Sequence, residues 1–318
     1  MEKKAVIFDI GRFRNTDGPG IRTIIFFKGC PLRCKWCSNP FGLKVQPQLA
    51  VNREKCTACG KCAQVCPNGV NKIVDGRLEI DFSKCDQCGA CVIPCPAGCR
   101  KITGEEYTAH ELYEEARKDA AFSRRDNGGV TLSGGEILAQ YDVAAEVLRL
   151  CRQAYMSTCI ETSAYGKWEH LKQIAQYCKI IFVDLKHIDS AKHKEITGVP
   201  NELILENIRK LADYAVEKNI QLIIRRPIIP GYNDEDEATI GAAKFIAELS
   251  GNPEINIIPF HNLGETKYDM IGEDYIPKDL EMLAKTDDVI VRTKELTEKY
   301  APNCRVSVGG EAIDLNRD

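Results

Sequence analysis

Short runs of β-branched and apolar residues recur along the chain, separated by segments in which apolar residues return every three or four positions. The first pattern reads as a strand buried on both faces, the second as an amphipathic helix. Strands are expected at Ile21–Phe27, Gly129–Ser133, Ser157–Glu161, Ile180–Lys186, Ile220–Arg226 and Ile255–Phe260. Helices are expected around Ala109–Phe122, Val143–Gln153, Trp168–Tyr177, Asn201–Lys218 and Glu235–Leu249. Repeated strand–helix units imply a parallel sheet with helices outside it. Six such units are two short of a closed eight-unit barrel, so the expected fold class is α/β, a partial (β/α)6 TIM-type barrel. A flat doubly wound sheet satisfies the same alternation.

In a barrel the chemistry collects at the C-terminal ends of the strands. Polar motifs fall at those ends here: Ser133-Gly134-Gly135-Glu136, Glu161-Thr162, Asp184-Leu185-Lys186, Arg225 and His261. Asp184 and Lys186 are two residues apart and so share one side of a strand end.

The alternation breaks between residues 53 and 100, where Cys, Lys, Asp and Gly replace large apolar residues. A segment of that size without a core needs a staple, and metal is the one available. It holds two runs, Cys56, Cys59, Cys62, Cys66 and Cys85, Cys88, Cys91, Cys95, each C-x2-C-x2-C-x3-C followed by Pro67 or Pro96. This is the spacing of bacterial two-cluster ferredoxins, in which the fourth cysteine of each run ligates the other cluster. One 4Fe-4S cluster is therefore assigned to Cys56, Cys59, Cys62 and Cys95, the second to Cys66, Cys85, Cys88 and Cys91. Zinc is the alternative for such sets, and Cys99 is an alternative ligand beside them. The expected domains are a discontinuous barrel, residues 1–52 and 101–318, and a ferredoxin-type insert, residues 53–100.

Cys30, Cys34 and Cys37 form a third group, C-x3-C-x2-C, directly after the first expected strand. A 4Fe-4S cube has four irons, so three cysteines leave one iron open to a substrate, as a catalytic zinc keeps one position open. By spacing alone, zinc or chance accounts for the triplet equally well.

Composition narrows the partners. The 318 residues are 44% hydrophobic and 28% charged, with a formal net charge of -3, so no global basic field points to nucleic acid or an anionic membrane. No apolar run approaches the ~20 residues that span a bilayer, and Ala5–Phe8 is too short for a signal peptide. A cytoplasmic protein is expected, in which clustered cysteines serve as ligands rather than disulfides.

The triplet sits in Cys30-Pro31-Leu32-Arg33-Cys34-Lys35-Trp36-Cys37-Ser38-Asn39-Pro40, preceded by Asp17-Gly18-Pro19-Gly20. With the Gly-Gly-Glu stretch, Asp184-Leu185-Lys186 and Pro259-Phe260-His261-Asn262-Leu263-Gly264, it resembles the radical S-adenosylmethionine superfamily, and within it the glycyl-radical enzyme activating enzymes. The resemblance covers nearly the whole chain. It implies an open iron that takes the amino and carboxylate groups of S-adenosylmethionine, whose reductive cleavage yields methionine and a 5'-deoxyadenosyl radical. That radical removes a hydrogen atom from a glycine Cα of a glycyl-radical enzyme. The resemblance further implies cofactor contacts from Trp36, Cys37, Ser38, Gly135, Glu136, Asp184, Leu185, Lys186 and His261. Arg225, Glu161 and Thr162 would lie near the cofactor and a monovalent cation, and Asp17 would face the incoming glycine. Three 4Fe-4S clusters, flavodoxin or ferredoxin as electron donor, a monomer and an anaerobic setting complete the expectation. Two sequence features depart from the pattern of the relatives, Ile137 after the Gly-Gly-Glu stretch and Phe41 after Asn39-Pro40. Two other readings are a radical enzyme acting on a small molecule or peptide, and a ferredoxin-like carrier without catalysis.

Overall fold

The computed structural model describes residues 2–15, 17–123 and 127–309. Its strands, in chain order, are Lys4–Arg14 (β1), Arg22–Phe27 (β2), Gln48–Val51 (β3), Asn71–Val74 (β4), Arg77–Ile80 (β5), Arg100–Thr103 (β6), Glu105–Thr108 (β7), Gly129–Gly134 (β8), Ser157–Thr162 (β9), Ile180–Asp184 (β10), Gln221–Ile228 (β11), Glu254–Pro259 (β12) and Val306–Val308 (β13). Nine of them form one sheet in the order β13-β12-β11-β10-β9-β8-β2-β1-β7.

All six expected strands are present as β2 and β8 to β12, mutually parallel and adjacent in chain order. A doubly wound sheet reverses its order at a switch point; this one never does. The result is an α/β fold with a mostly parallel sheet wound in one direction, typical of a partial barrel. Three strands extend it beyond the expectation. β13 adds a parallel edge, and β1 pairs antiparallel with both β2 and β7 at the other. The edge strands β7 and β13 do not pair with each other, so the barrel is open.

The expected helix Ala109–Phe122 is two, Ala109–Arg117 and Ala120–Ser123. The first starts on a capping box between Thr108 and Glu111. After it, the Asp119 carboxylate turns inward to accept hydrogen bonds from Arg12 (3.2 Å) and Thr23 (2.8 Å), tying the break to β1 and β2. Helices Ser190–Thr197, Glu265–Ile271 and Asp288–Tyr300 were not expected. Among the described residues no helix is long and apolar enough to cross a membrane.

Strand alternation sorts the core into two layers. Ile25, Leu132, Ile160, Val183 and Ile224 face the helices, where they join Leu148, Leu171, Ile208 and Ile246. Cys159, Ile180, Phe182 and Ile223 form a smaller apolar cluster of their own, made only of strand residues. Arg22 is fully buried beside the strands and donates to Thr131 Oγ1 (2.7 Å), Val130 O (2.8 Å), Pro19 O (3.0 Å) and Ser157 O (3.1 Å). It thereby fastens the Asp-Gly-Pro-Gly loop to β8 and β9.

Residues 53–100 leave the barrel between β3 and β6, which pair with each other, and contain the β4–β5 hairpin. Asp75 and Gly76 make that turn with φ of 49° and 71°, the type I′ geometry a two-residue hairpin requires.

Lys28, fully buried after β2, donates to Phe41 O (2.5 Å) and Gln48 Oε1 (3.3 Å), joining the barrel to β3. Burial, with Lys44 nearby, lowers its pKa from the ordinary 10.5 to about 8. Between those values the unfolded chain binds more protons, so this group makes stability rise with pH from about 8 to 10.5, and its burial penalty is complete below 8. The stability difference between wild type and Lys28→Met in urea melts is therefore expected to change across that window and stay flat below it. A difference independent of pH would refute this.

Candidate functional site

The three-cysteine loop continues β2 and is clamped from several sides. Gly29 N donates to Gly42 O (2.8 Å) and Cys30 N to Leu43 O (3.2 Å). Arg33 N and Lys35 N donate to Thr197 O (2.7 Å) and Ile196 O (3.0 Å), satisfying carbonyls that the end of helix Ser190–Thr197 leaves unpaired. Gly264, in the turn after β12, touches the loop so closely that a Cβ there would lie 2.8 Å from Cys37 O and 2.9 Å from Ser38 Cα. Lys267, one turn into the next helix, donates to Ser38 O (2.8 Å) and Asn39 Oδ1 (3.2 Å). Sequence reasoning missed Lys267; its position three residues beyond Gly264 was the available signal. Burial raises the pKa of all three cysteines, that of Cys34 to about 12, with Lys186 acting the other way on Cys34. An iron centre held by these thiols would remove their protons outright.

Gly134 and Gly135 lie where backbones meet. Gly134 has φ of 116°, and a Cβ on Gly135 would stand 2.4 Å from Gly42 O and 2.6 Å from Gly29 O. Gly135 N donates to Phe27 O (2.8 Å) and Glu136 N to Gly29 O (2.7 Å), so this turn is held directly to the root of the three-cysteine loop. The Glu136 side chain, expected to meet the cofactor, is 1% exposed and turned to β9. It accepts from Thr162 Oγ1 (2.7 Å), Ser163 N (2.8 Å), Ser163 Oγ (2.5 Å) and Leu138 N (3.2 Å). Burial raises its pKa against the pull of these donors. Its carboxylate is a tie between two strand ends.

Asp184 and Lys186 do share one side, with Lys186 Nζ 2.6 Å from Asp184 Oδ2. Burial opposes the Lys186 charge, but Asp184 and Cys34 more than offset it and raise its pKa. Strand β10 ends at Asp184, so Lys186 stands on the loop beyond it, its carbonyl accepting from Asn233 Nδ2 (2.8 Å). The Leu185 side chain is buried in the layer between sheet and helices, because alternation turns it away from its neighbours. Trp36 is buried in an apolar cluster with Ile196, Ile229 and Phe260, its ring 5.9 Å from that of Tyr232.

Inside the strand ends, Glu161 accepts from Ser133 Oγ (2.5 Å) and pairs with Arg225, whose guanidinium stacks 3.8 Å over the Phe182 ring. Burial raises the Glu161 pKa; Arg225 opposes this, while Asp17 and Asp184 add to it, which places all four charges in one field. Thr162 lies apart from that field, bonded to Glu136. The buried nitrogens Arg225 Nε and His261 Nδ1, each at or after a strand end, have no hydrogen-bond partner among the described residues. Burial, with Lys267 beside it, lowers the His261 pKa and keeps the ring neutral. Unsatisfied buried nitrogens of this kind are satisfied by a polar ligand, which fits the donor chemistry of these two side chains.

The eight cysteines of the two ferredoxin-like runs line two cavities. Cys66, Cys85, Cys88 and Cys91, with Pro67, surround one; Cys56, Cys59, Cys62 and Cys95, with Pro96, surround the other. The fourth cysteine of each run thus crosses to the cavity of the other, as the spacing implied. The runs also repeat in conformation. Ala58 and Gly60 have positive φ at the same offsets as Gln87 and Gly89, and Gly69 matches Gly98. Along each run the cysteines are half-buried, exposed, buried and half-buried. Backbone amides point at sulfur, Val70 N at Cys66 (3.4 Å) and Ala58 N at Cys56 (3.5 Å).

A one-way parallel sheet carrying a three-cysteine loop at its strand ends defines the class. The family model described as the radical SAM superfamily matches residues 24–243, and the chain belongs to that superfamily. It is 41% identical over 281 residues to the choline trimethylamine-lyase activating enzyme of Oleidesulfovibrio alaskensis, covering 86% of this chain and 89% of the relative. It is 40% identical to the indoleacetate decarboxylase activating enzyme of Tractidigestivibacter scatoligenes (86% and 88% covered) and to the 4-hydroxyphenylacetate decarboxylase activating enzyme of Clostridioides difficile (86% and 87%). Streptococcus suis SuiB bound to precursor peptide SuiA shares the fold at 16% identity and a TM-score of 0.53, over 92% of this chain and 49% of that one. The protein is a glycyl-radical enzyme activating enzyme, which brings with it a 4Fe-4S cluster and S-adenosylmethionine.

Proposed function

We propose that this activase holds three 4Fe-4S clusters, one on Cys30, Cys34 and Cys37 with an open iron and two in a ferredoxin-type insert of residues 53–100. The observation that carries the count is the pair of cavities, each lined by three cysteines of one run and the fourth cysteine of the other, between two runs of matching backbone. When bound, the first cluster and S-adenosylmethionine supply the electron and the 5'-deoxyadenosyl radical that oxidises a glycine of the partner. The chain's own residues do the holding. Lys186, kept charged by Asp184, is suited to the methionine carboxylate, and Gly135 offers backbone to the amino group. His261 and Arg225 bring unsatisfied nitrogens, and Trp36, Cys37 and Ser38 border the adenine. Asp17, held from below by Arg22 and Thr131 through its loop, faces the glycine to be activated. The insert takes electrons from flavodoxin or ferredoxin, and the activase works as a monomer.

Anaerobic reconstitution followed by iron and sulfide assay is expected to find about twelve irons per chain, falling by about four in Cys91→Ala. Addition of reductant, S-adenosylmethionine and the partner is expected to yield a glycyl-radical signal by electron paramagnetic resonance. A wild type holding only about four irons would overturn the cluster count.

A further inference from the structure

The cavity of Cys56, Cys59, Cys62 and Cys95 is lined by a fifth cysteine, Cys99. It is 5% exposed, its sulfur lies 3.4 Å from that of Cys95, and it also contacts Cys56. The related cavity has no such residue. Cys99 follows Cys95 by four positions, and the residue four positions after Cys66 is Val70, which lines the other cavity in the corresponding place. The two runs are therefore alike in cysteine spacing and backbone turns, and only one cavity has a fifth thiol.

An iron of a 4Fe-4S cube takes one external thiolate. Two sulfurs 3.4 Å apart at one wall of the cavity are alternatives for the same iron rather than joint ligands. We propose that Cys99 is a reserve ligand for the cluster held by Cys56, Cys59, Cys62 and Cys95, taking over the iron that Cys95 holds. In the exchange the iron–sulfur bond to Cys95 breaks as the bond to Cys99 forms; the Cys99 thiol gives up its proton and the Cys95 thiolate accepts one. No electron is gained or lost. The consequence is an asymmetric insert, in which one cluster survives loss of its fourth ligand and the other does not. This rests on the three-cluster reading above.

The test uses the full chain, reconstituted without oxygen, and reads iron content and the electron paramagnetic resonance spectrum of the reduced protein. Cys95→Ala and Cys99→Ala are each expected to keep about twelve irons, with a shifted spectrum in Cys95→Ala. The double variant Cys95→Ala/Cys99→Ala and the symmetry-related Cys66→Ala are each expected to lose about four. Adding Val70→Cys to Cys66→Ala is expected to restore them. Loss of about four irons in Cys95→Ala alone, from a wild type that holds about twelve, overturns the reserve ligand and leaves the cluster count standing. A wild type with only about four overturns both.

Discussion

Cys34→Ala is expected to abolish methionine release from S-adenosylmethionine, at least ~100-fold below wild type, and to remove about four irons while the clusters of the insert remain. Cys34 is one of only three cysteines on the loop, so no neighbouring thiol replaces it; the two other clustered groups lie in cavities of their own. The fold should persist. The loop is held through backbone bonds to Leu43, Ile196 and Thr197, none of which uses the Cys34 side chain, and Lys186 keeps its ion pair with Asp184. Unchanged far-ultraviolet circular dichroism with lost cleavage would place the chemistry on this loop. Cleavage that continues in Cys34→Ala would mean that the radical is generated elsewhere.

Gly135→Ala is expected to be the most damaging small substitution at the site. The added methyl would meet Gly42 O at 2.4 Å and Gly29 O at 2.6 Å, both backbone atoms that cannot swing aside. Gly29 O accepts from Glu136 N and Gly42 O from Gly29 N, so relieving the clash breaks the bonds that seat the three-cysteine loop. Overpacking together with two impaired hydrogen bonds costs about 3–5 kcal/mol. The apo protein should show this as a lower urea midpoint, and the reconstituted protein as weaker iron retention at the triplet. Gly76→Ala is the comparison. Its Cβ would meet nothing within 4 Å, leaving only the cost of a positive φ, about 1–2 kcal/mol. Equal effects of the two substitutions would refute the close approach as the reason for glycine at 135. Because stability is read without cofactor, the result separates packing from any contact Gly135 makes with S-adenosylmethionine.

The parallel strands were legible because each is covered on both faces and its residues are apolar almost throughout; β10, Ile180–Asp184, is the plainest case. The edges were not. β1 carries Asp9, Gly11, Arg12 and Arg14 among its apolar residues, and β13 is three residues long, so neither has a periodic signature. Helix Ser190–Thr197 has the apolar Ala191 and Ile196 among polar residues, and its last carbonyls receive the amides of the three-cysteine loop. Its stability is tertiary, which local patterning does not record.

At the site the division follows the range of the interactions. Spacing is a property of the chain, so the sequence by itself picked out all three cysteine groups as candidate ligands, and the ferredoxin-like spacing implied that Cys66 and Cys95 cross between the two cavities. Strand alternation likewise put Asp184 and Lys186 together. Only the tertiary structure decided that Glu136 spends its carboxylate on Thr162 and Ser163, that Leu185 faces the helices, that Lys267 reaches back to Ser38, and that Cys99 shares a wall with Cys95. Each of these depends on which way a side chain points once distant segments have packed. Direction in space is set by register and close contact, and neither is written in the spacing of residues along one strand or loop.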